Sequence, residues 1–180
     1  MVDQPVARSA VSLPERPSST QATVWLADRS NWSKVLIHHD DGSPPGAAFG
    51  KVVEAEEGAL VVGWAPGQTL LISGGDTLPL LAKMSDADQK VDISHGHALL
   101  SIGGEGAEAT LAKLCAIDLS EGTPPGSLVR TSVAKVATGV IKVAADQPSF
   151  LLICDRSYGQ YLTDEVLIAA GEFGIATAAT

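Results

Sequence analysis

Residues Gly103-Gly104-Glu105-Gly106 follow the apolar run "HALLSI" and precede the Ala/Leu-rich "AEATLAKL". Strand, glycine turn and helix in that order are the parts that hold a dinucleotide pyrophosphate, and Gly104-x-Gly106-x-x-Ala109 fits the loose form of that fingerprint. The wider context disagrees. A dinucleotide unit continues into a second parallel strand that ends in an Asp or Glu about 20 residues on, whereas here "DLSEGTPPGS" reads as a loop. Glu105 inside the turn would repel a phosphate. The stretch is therefore expected to be a structural corner.

Other groups with chemical potential are sparse. His95 and His97 would share one face of a regular strand and could bind one metal, but Asp92 would point to the opposite face and two ligands make no site. His38-His39-Asp40-Asp41 lie at a strand end before a Gly/Pro turn, where a solvated polar cluster is expected. Cys115 and Cys154 sit in "KLCAI" and "LLICD", the setting of small buried hydrophobes; a catalytic thiol has no support. No Gly-x-Ser-x-Gly or Gly-Lys-Ser/Thr occurs, and the carboxylates of "EAEEG" and "DAD" read as solvated faces and turns. Catalytic, cofactor-binding and metal-ligating residues are expected to be none.

The elements that would carry these residues are mostly strands. "KVLIHH", "FGKVVEA", "ALVVGW" and "TLLISG" alternate with Gly/Pro punctuation and suggest an antiparallel meander. "DTLPLLAKM" is ambiguous, because Pro79 can open a helix or break one. "VDISHGHALLSI" reads as one strand, "LVRTSVAKVATGVIKVAA" as a hairpin turning near Thr138-Gly139, and "SFLLICD" as another strand. Ala107, Leu111, Leu114 and Cys115 lie on one face of a helix over 107–117. A second helix carries Tyr158, Leu162, Val166, Ala169 and Phe173, with Ser157 and Gln160 at capping-box spacing and Gly174 as its stop. Strands with two separated helices and no βαβ regularity predict an α+β domain over 22–174. Residues 1–21, rich in Pro and Ser, and 175–180 are expected to be tails.

The formal net charge of −9 and pI near 4.7 disfavour a nucleic-acid partner. No apolar run approaches the roughly 20 residues of a membrane span, and the N-terminus lacks the basic and apolar regions of a signal peptide. A cytoplasmic protein is expected. Charged residues are only 18% against 45% apolar, at a mean hydropathy of +0.18, so part of the surface is expected to meet another chain.

Several stretches together resemble a known family. They are Asp92-x-Ser94-His95, Cys115-Ala116-Ile117-Asp118-Leu119, Pro125-Gly126-Ser127, Arg130-Thr131, and Arg156-Ser157-Tyr158 with Tyr161-Leu162, between about Lys90 and Gly174. In order and spacing they are similar to the gamma (small) subunit of heterotetrameric sarcosine oxidase, a shortened relative of the folate-binding, GcvT-like aminomethyltransferase domain. "VGWAPGQTLLISGGD" resembles a strand of the same family more weakly.

The resemblance implies antiparallel sheets with packed helices, as in the folate-binding domain of aminomethyltransferases. It also implies a non-catalytic role beside an alpha subunit, chiefly, and beta and delta subunits. The complex would oxidise sarcosine and pass the one-carbon unit to tetrahydrofolate, using FAD, FMN, NAD and zinc held by other subunits. The small subunit of an N-methylglutamate dehydrogenase and a stand-alone folate-binding protein are the alternatives. For the latter, Asp118 is the nearest counterpart of a pterin-holding carboxylate.

Overall fold

The computed structural model describes residues 9–14, 22–40, 47–75, 77, 81–82, 86, 88–143 and 146–178. Among the described residues, eleven strands form two sheets. Strands β1 (Val24–Asp28), β7 (His97–Gly103), β8 (Ser127–Val133), β9 (Val136–Lys142), β10 (Ser149–Asp155) and β11 (Ile175–Ala178) make a six-stranded sheet in the order β11-β1-β7-β10-β9-β8. The five-stranded sheet has the order β3-β4-β5-β2-β6, built from β2 (Ser33–His38), β3 (Val52–Glu54), β4 (Leu60–Ala65), β5 (Gln68–Ser73) and β6 (Gln89–Asp92). Every pairing is antiparallel except β1 with β11. The expected α+β class with packed antiparallel sheets is what forms.

Alternation along the strands divides the apolar residues between two faces. On one face of the six-stranded sheet, Leu100, Ile102, Phe150, Leu152 and Val140 pack beneath α1 (Ala107–Ala112) and α2 (Gly159–Ala170), which contribute Leu111, Leu162 and Val166. Its other face sends Leu99, Ile141, Leu151 and Ile153 against Val62, Leu70 and Ile72 of the smaller sheet. The far face of the smaller sheet carries Val35, Ile37, Val61 and Leu71, packed with Ala47 and Ala59. The order from outside is thus helices, sheet, sheet.

The chain passes between the sheets at two tight crossings, and Lys34 joins them. Its ammonium, with the residue 0% exposed, donates to Ser30 O at 2.9 Å and Trp32 O at 2.7 Å in the β1–β2 crossing. Its backbone holds the β6–β7 crossing: Lys34 N donates to Ser94 Oγ and Ile93 N donates to Lys34 O, both at 2.9 Å. Ser94 N in turn donates to Asp92 Oδ1 at 2.8 Å, and the bonds from Ser94 hold the Asp92 carboxyl below its usual value. A second buried ammonium, Lys142, donates to Glu108 Oε1, Leu119 O and Ser120 O at 2.7–2.8 Å, fixing α1 and the loop after it to β9.

Several expectations are corrected. "VDISHGHALLSI" is two strands in different sheets, because the 3₁₀ turn Ser94–Gly96 carries the chain across. The meander is broken: β2 pairs with β5 and β6, not with β3. The β8–β9 turn lies at Ala134-Lys135, with φ of +48° and +68°, as a two-residue type I′ hairpin requires; Thr138-Gly139 is mid-strand. Helix α1 ends at Ala112, short of Ile117.

The capping box does not form, since Gln160 Oε1 accepts from Ser12 N and its amide reaches Ser12 O and Asp164. Gly174, at φ +66°, does end the helical stretch. The C-terminal tail starts later than expected, because Ile175–Ala178 is β11. Within the expected N-terminal tail, Val11 is buried against the helix-covered core and Ser9 donates to buried Asp28. Residues 1–8 and 15–21, Pro79 and Asp41 lie outside the described residues.

Burial lowers the Lys34 ammonium from 10.5 to about 8, partly offset by Asp28 and Asp92. Between these values the unfolded chain binds more protons than the folded one, so stability from this group rises with pH. Melting of the wild type and Lys34→Met at pH 7.5 and pH 10 should show the difference moving in favour of the wild type by up to about 3 kcal/mol. A pH-independent difference would contradict the buried, depressed ammonium.

Candidate functional site

A cavity of about 610 Å³ opens beside β8, β9 and β10 on the side that faces the smaller sheet. Trp64 forms one wall, and a backbone irregularity places it there. The β4–β5 register runs Gly63↔Thr69 and then Ala65↔Gln68, leaving Trp64 as the extra, bulged residue. Such a bulge re-aims a side chain. The indole reaches the six-stranded sheet and lies over Gly139, where an added Cβ would stand 2.7 Å from Trp64 Cη2 and 2.8 Å from Ile153 Cγ2. Gly139 is therefore an approach position, not a turn.

Directly across from Gly139 on β8 is Arg130, whose guanidinium stacks 4.9 Å from the Trp64 ring centroid. Stacking of this kind is worth about 0.5–1 kcal/mol at an exposed site. It leaves the N–H donors of Arg130 without an acceptor among the described residues. Phe49, 60% exposed, stands at the rim. The opposite rim is His97 and Asp155, a register pair of β7 and β10. His97 Nε2 lies 3.6 Å from Asp155 Oδ1, and its Nδ1 lies 3.3 Å from Ile93 O. The cavity thus offers a cation on an aromatic wall facing a His–Asp pair: an arrangement suited to holding a planar or anionic group. Cys154 is not placed to act in it as a nucleophile, because burial pushes its thiol up to about 11 and its side chain packs into the helix-side core.

The residues singled out by sequence are dispersed. His95 is exposed in the 3₁₀ turn and His97 begins β7, so the shared strand face on which a metal pair was imagined does not exist. Among the described residues, no group of three His, Cys, Asp or Glu could hold a metal ion. The cluster at His38-His39 is not the solvated one expected. His39 Nδ1 pairs with Asp88 Oδ2 at 3.2 Å and its Nε2 lies 3.0 Å from Thr69 Oγ1, with both the His39 and Asp88 side chains under 10% exposed. An Asp–His–Thr chain has the connectivity of an activated nucleophile, yet Thr69 is 0% exposed within β5. With no room for a substrate at the hydroxyl, the chain acts as a clamp between the end of β2 and β5.

At the glycine corner the structural reading holds. Gly103 lies under Trp25, its register partner, and Gly104 takes φ +101° with Thr23 O at 2.3 Å from where a Cβ would be. The adjoining cleft, about 300 Å³, is lined by Glu105 with Trp25 and Gln147, and a carboxylate in that lining disfavours a pyrophosphate there. Asp118 lies away from the larger cavity, fully exposed. Its carboxylate accepts from Ser120 N and Oγ, which holds it below its usual value.

Replacing Gly139 with Ala should displace Trp64 and lower stability by about 1–3 kcal/mol, the cost of overpacking a fitted contact. Chemical denaturation followed by tryptophan emission measures it. An unchanged midpoint and spectrum would show that Trp64 is not seated on Gly139.

No protein-family model matches the chain, and no curated protein matches it in sequence. No helix among the described residues is long and apolar enough to cross a membrane. Solved structures do match. One is a chain of the heterotetrameric sarcosine oxidase from Corynebacterium sp. U-96 in complex with pyrrole 2-carboxylate: 20% identical, TM-score 0.72, covering 91% of this chain and 91% of that chain. Another is the glycine cleavage system aminomethyltransferase T from Bartonella henselae: 15% identical, TM-score 0.62, covering 88% of this chain and 48% of that one. This chain spans about half the length of the aminomethyltransferase. The helix-covered pair of sheets described above is thus the fold of a sarcosine oxidase chain and of part of an aminomethyltransferase.

Proposed function

We propose that this chain is the gamma-type small subunit of a sarcosine-oxidase-type heterotetramer. Its role there is structural: it completes an assembly whose other subunits demethylate sarcosine oxidatively and pass the one-carbon unit to tetrahydrofolate. The observation that carries this reading is the reciprocal match, 91% of each chain, to a chain of a heterotetrameric sarcosine oxidase. At that coverage the likeness spans the fold of the sarcosine oxidase chain rather than a fragment of it, which is what supports the subunit reading.

The fate of the reactive residues supports the same reading. Thr69 is sealed in a strand, the Cys154 thiol is raised to about 11, and the two neighbouring histidines are parted by a turn. Thr69 and Cys154 are committed to packing and His95 to the chain crossing, while His97 stands on the cavity rim. On this proposal FAD, FMN, NAD, zinc and tetrahydrofolate are used through other subunits of a cytoplasmic complex, with alpha as the main partner and beta and delta beside it. The small subunit of an N-methylglutamate dehydrogenase would play the same part with a different substrate.

A second reading, direct binding of tetrahydrofolate by this chain, is favoured by one feature. The cavity of Trp64, Arg130, His97 and Asp155 offers a stacking wall, a cation without an acceptor among the described residues and a hydrogen-bonding pair. Asp155, not Asp118, would then be the carboxylate beside the ligand.

Coexpression with the alpha- and beta-type chains of the source organism separates these. The subunit reading expects co-purification of this chain, sarcosine-dependent peroxide formation by the complex and flat calorimetry of the isolated chain with tetrahydrofolate. N-methylglutamate as the preferred substrate would point to the related dehydrogenase. Failure to co-purify, together with saturable tetrahydrofolate binding, would favour the stand-alone protein.

A further inference from the structure

We propose that the outward face of α2 is the surface by which this chain docks onto its large partner subunit, seated in an apolar groove that presents a Lys or Arg to Glu165. The inference rests on the subunit reading above and adds to it the surface and the chemistry of the contact.

Helix α2 is buried on one side only. Gly159, Leu162, Thr163, Val166, Ala169 and Ala170 face the sheet. On the other side Tyr161 is 46% exposed and Ile168 74%, and Tyr158, which caps the helix, is 52% exposed. At about 100° per residue, Tyr158, Tyr161, Glu165 and Ile168 fall within an arc of roughly 80°. A single exposed Ile means little. Two tyrosines and an isoleucine in one stripe are the residue types that anchor interfaces, Tyr above all.

Charge decides what the stripe fits. Asp164 accepts from the Gln160 amide at 2.9 Å, and Glu172 pairs with Lys113. Glu165, between Tyr161 and Ile168, has no ion pair or hydrogen bond with the described residues. Burying that carboxylate against an uncharged apolar groove would leave it unpaired at a cost that outweighs the apolar gain. A cation opposite it removes the penalty and sets the register. The formal net charge of −9 makes a basic surface the electrostatically favoured partner as a whole. A stable interface buries about 800 Å² per side, so the stripe is its anchor and neighbouring surface must contribute the rest.

The test uses the full chain coexpressed with tagged alpha-type and untagged beta-type subunits, as wild type, Ile168→Asp and Glu165→Lys. Both variants should leave the melting temperature of the isolated chain within a few degrees, since Ile168 is largely exposed and Glu165 is only partly buried and makes no ion pair or hydrogen bond with the described residues. Each should reduce recovery with the tagged subunit about ten-fold or more, and a compensating basic-to-acidic exchange, a groove Lys or Arg replaced by Glu opposite Glu165→Lys, should restore binding. Undiminished recovery of both variants would overturn the docking face while leaving the subunit reading intact. An isolated wild-type dimer that Ile168→Asp dissolves would assign the face to a second copy instead. Absence of wild-type recovery would overturn the subunit reading and, with it, the inference.

Discussion

The Lys34 ammonium lies where the chain crosses between its two sheets, and nearly everything else in the fold depends on that point. The side chain closes the β1–β2 crossing from within, and the backbone of the same residue receives and donates the bonds that hold the β6–β7 crossing. A buried cation is costly, and its depressed pKa shows the cost. The backbone carbonyls of Ser30 and Trp32 would be unsatisfied without it, so its removal exchanges one penalty for another. Fixing both crossings sets which strands enter which sheet. That in turn places His97 at the start of β7, opposite Asp155, on the cavity rim.

The sequence was most legible where burial is regular. β5 and β10 announce themselves as dense apolar runs, and α2 shows its stripe of Leu162, Val166 and Ala169. It was least legible where contacts over long separations decide. The β11 strand, all small residues beyond its Ile175, has a strand's identity only because β1 runs beside it. Gln160 has the spacing of a cap but is taken by Ser12, 148 residues away. The hairpin turn fell at Ala134-Lys135, which carries no glycine, while the glycine that looked like a turn serves the Trp64 indole.

The cavity was invisible for the same reason. Trp64, His97, Arg130 and Asp155 are far apart in sequence and come from β4, β7, β8 and β10. The one local signal was Gly139 inside an otherwise strand-like run. Conversely, the glycine corner at 103–106 was legible because all of its contrary indications, Glu105 among them, are local. The general lesson is physical: periodicity reports burial along one element, whereas sites are made by register between elements.

The cavity and the outward stripe of α2 lie on opposite sides of the six-stranded sheet, one facing the smaller sheet and the other beyond the helix layer. A scaffold of this kind can support a partner on one side while the other retains a fitted polar pocket. The central claim is that the chain works as a component of a larger assembly. Native mass spectrometry of the material obtained by coexpression with alpha- and beta-type chains tests it most directly. The account predicts a particle whose mass includes this chain in stoichiometric amount; a particle of the other chains alone, with this one recovered separately as a monomer, would contradict it.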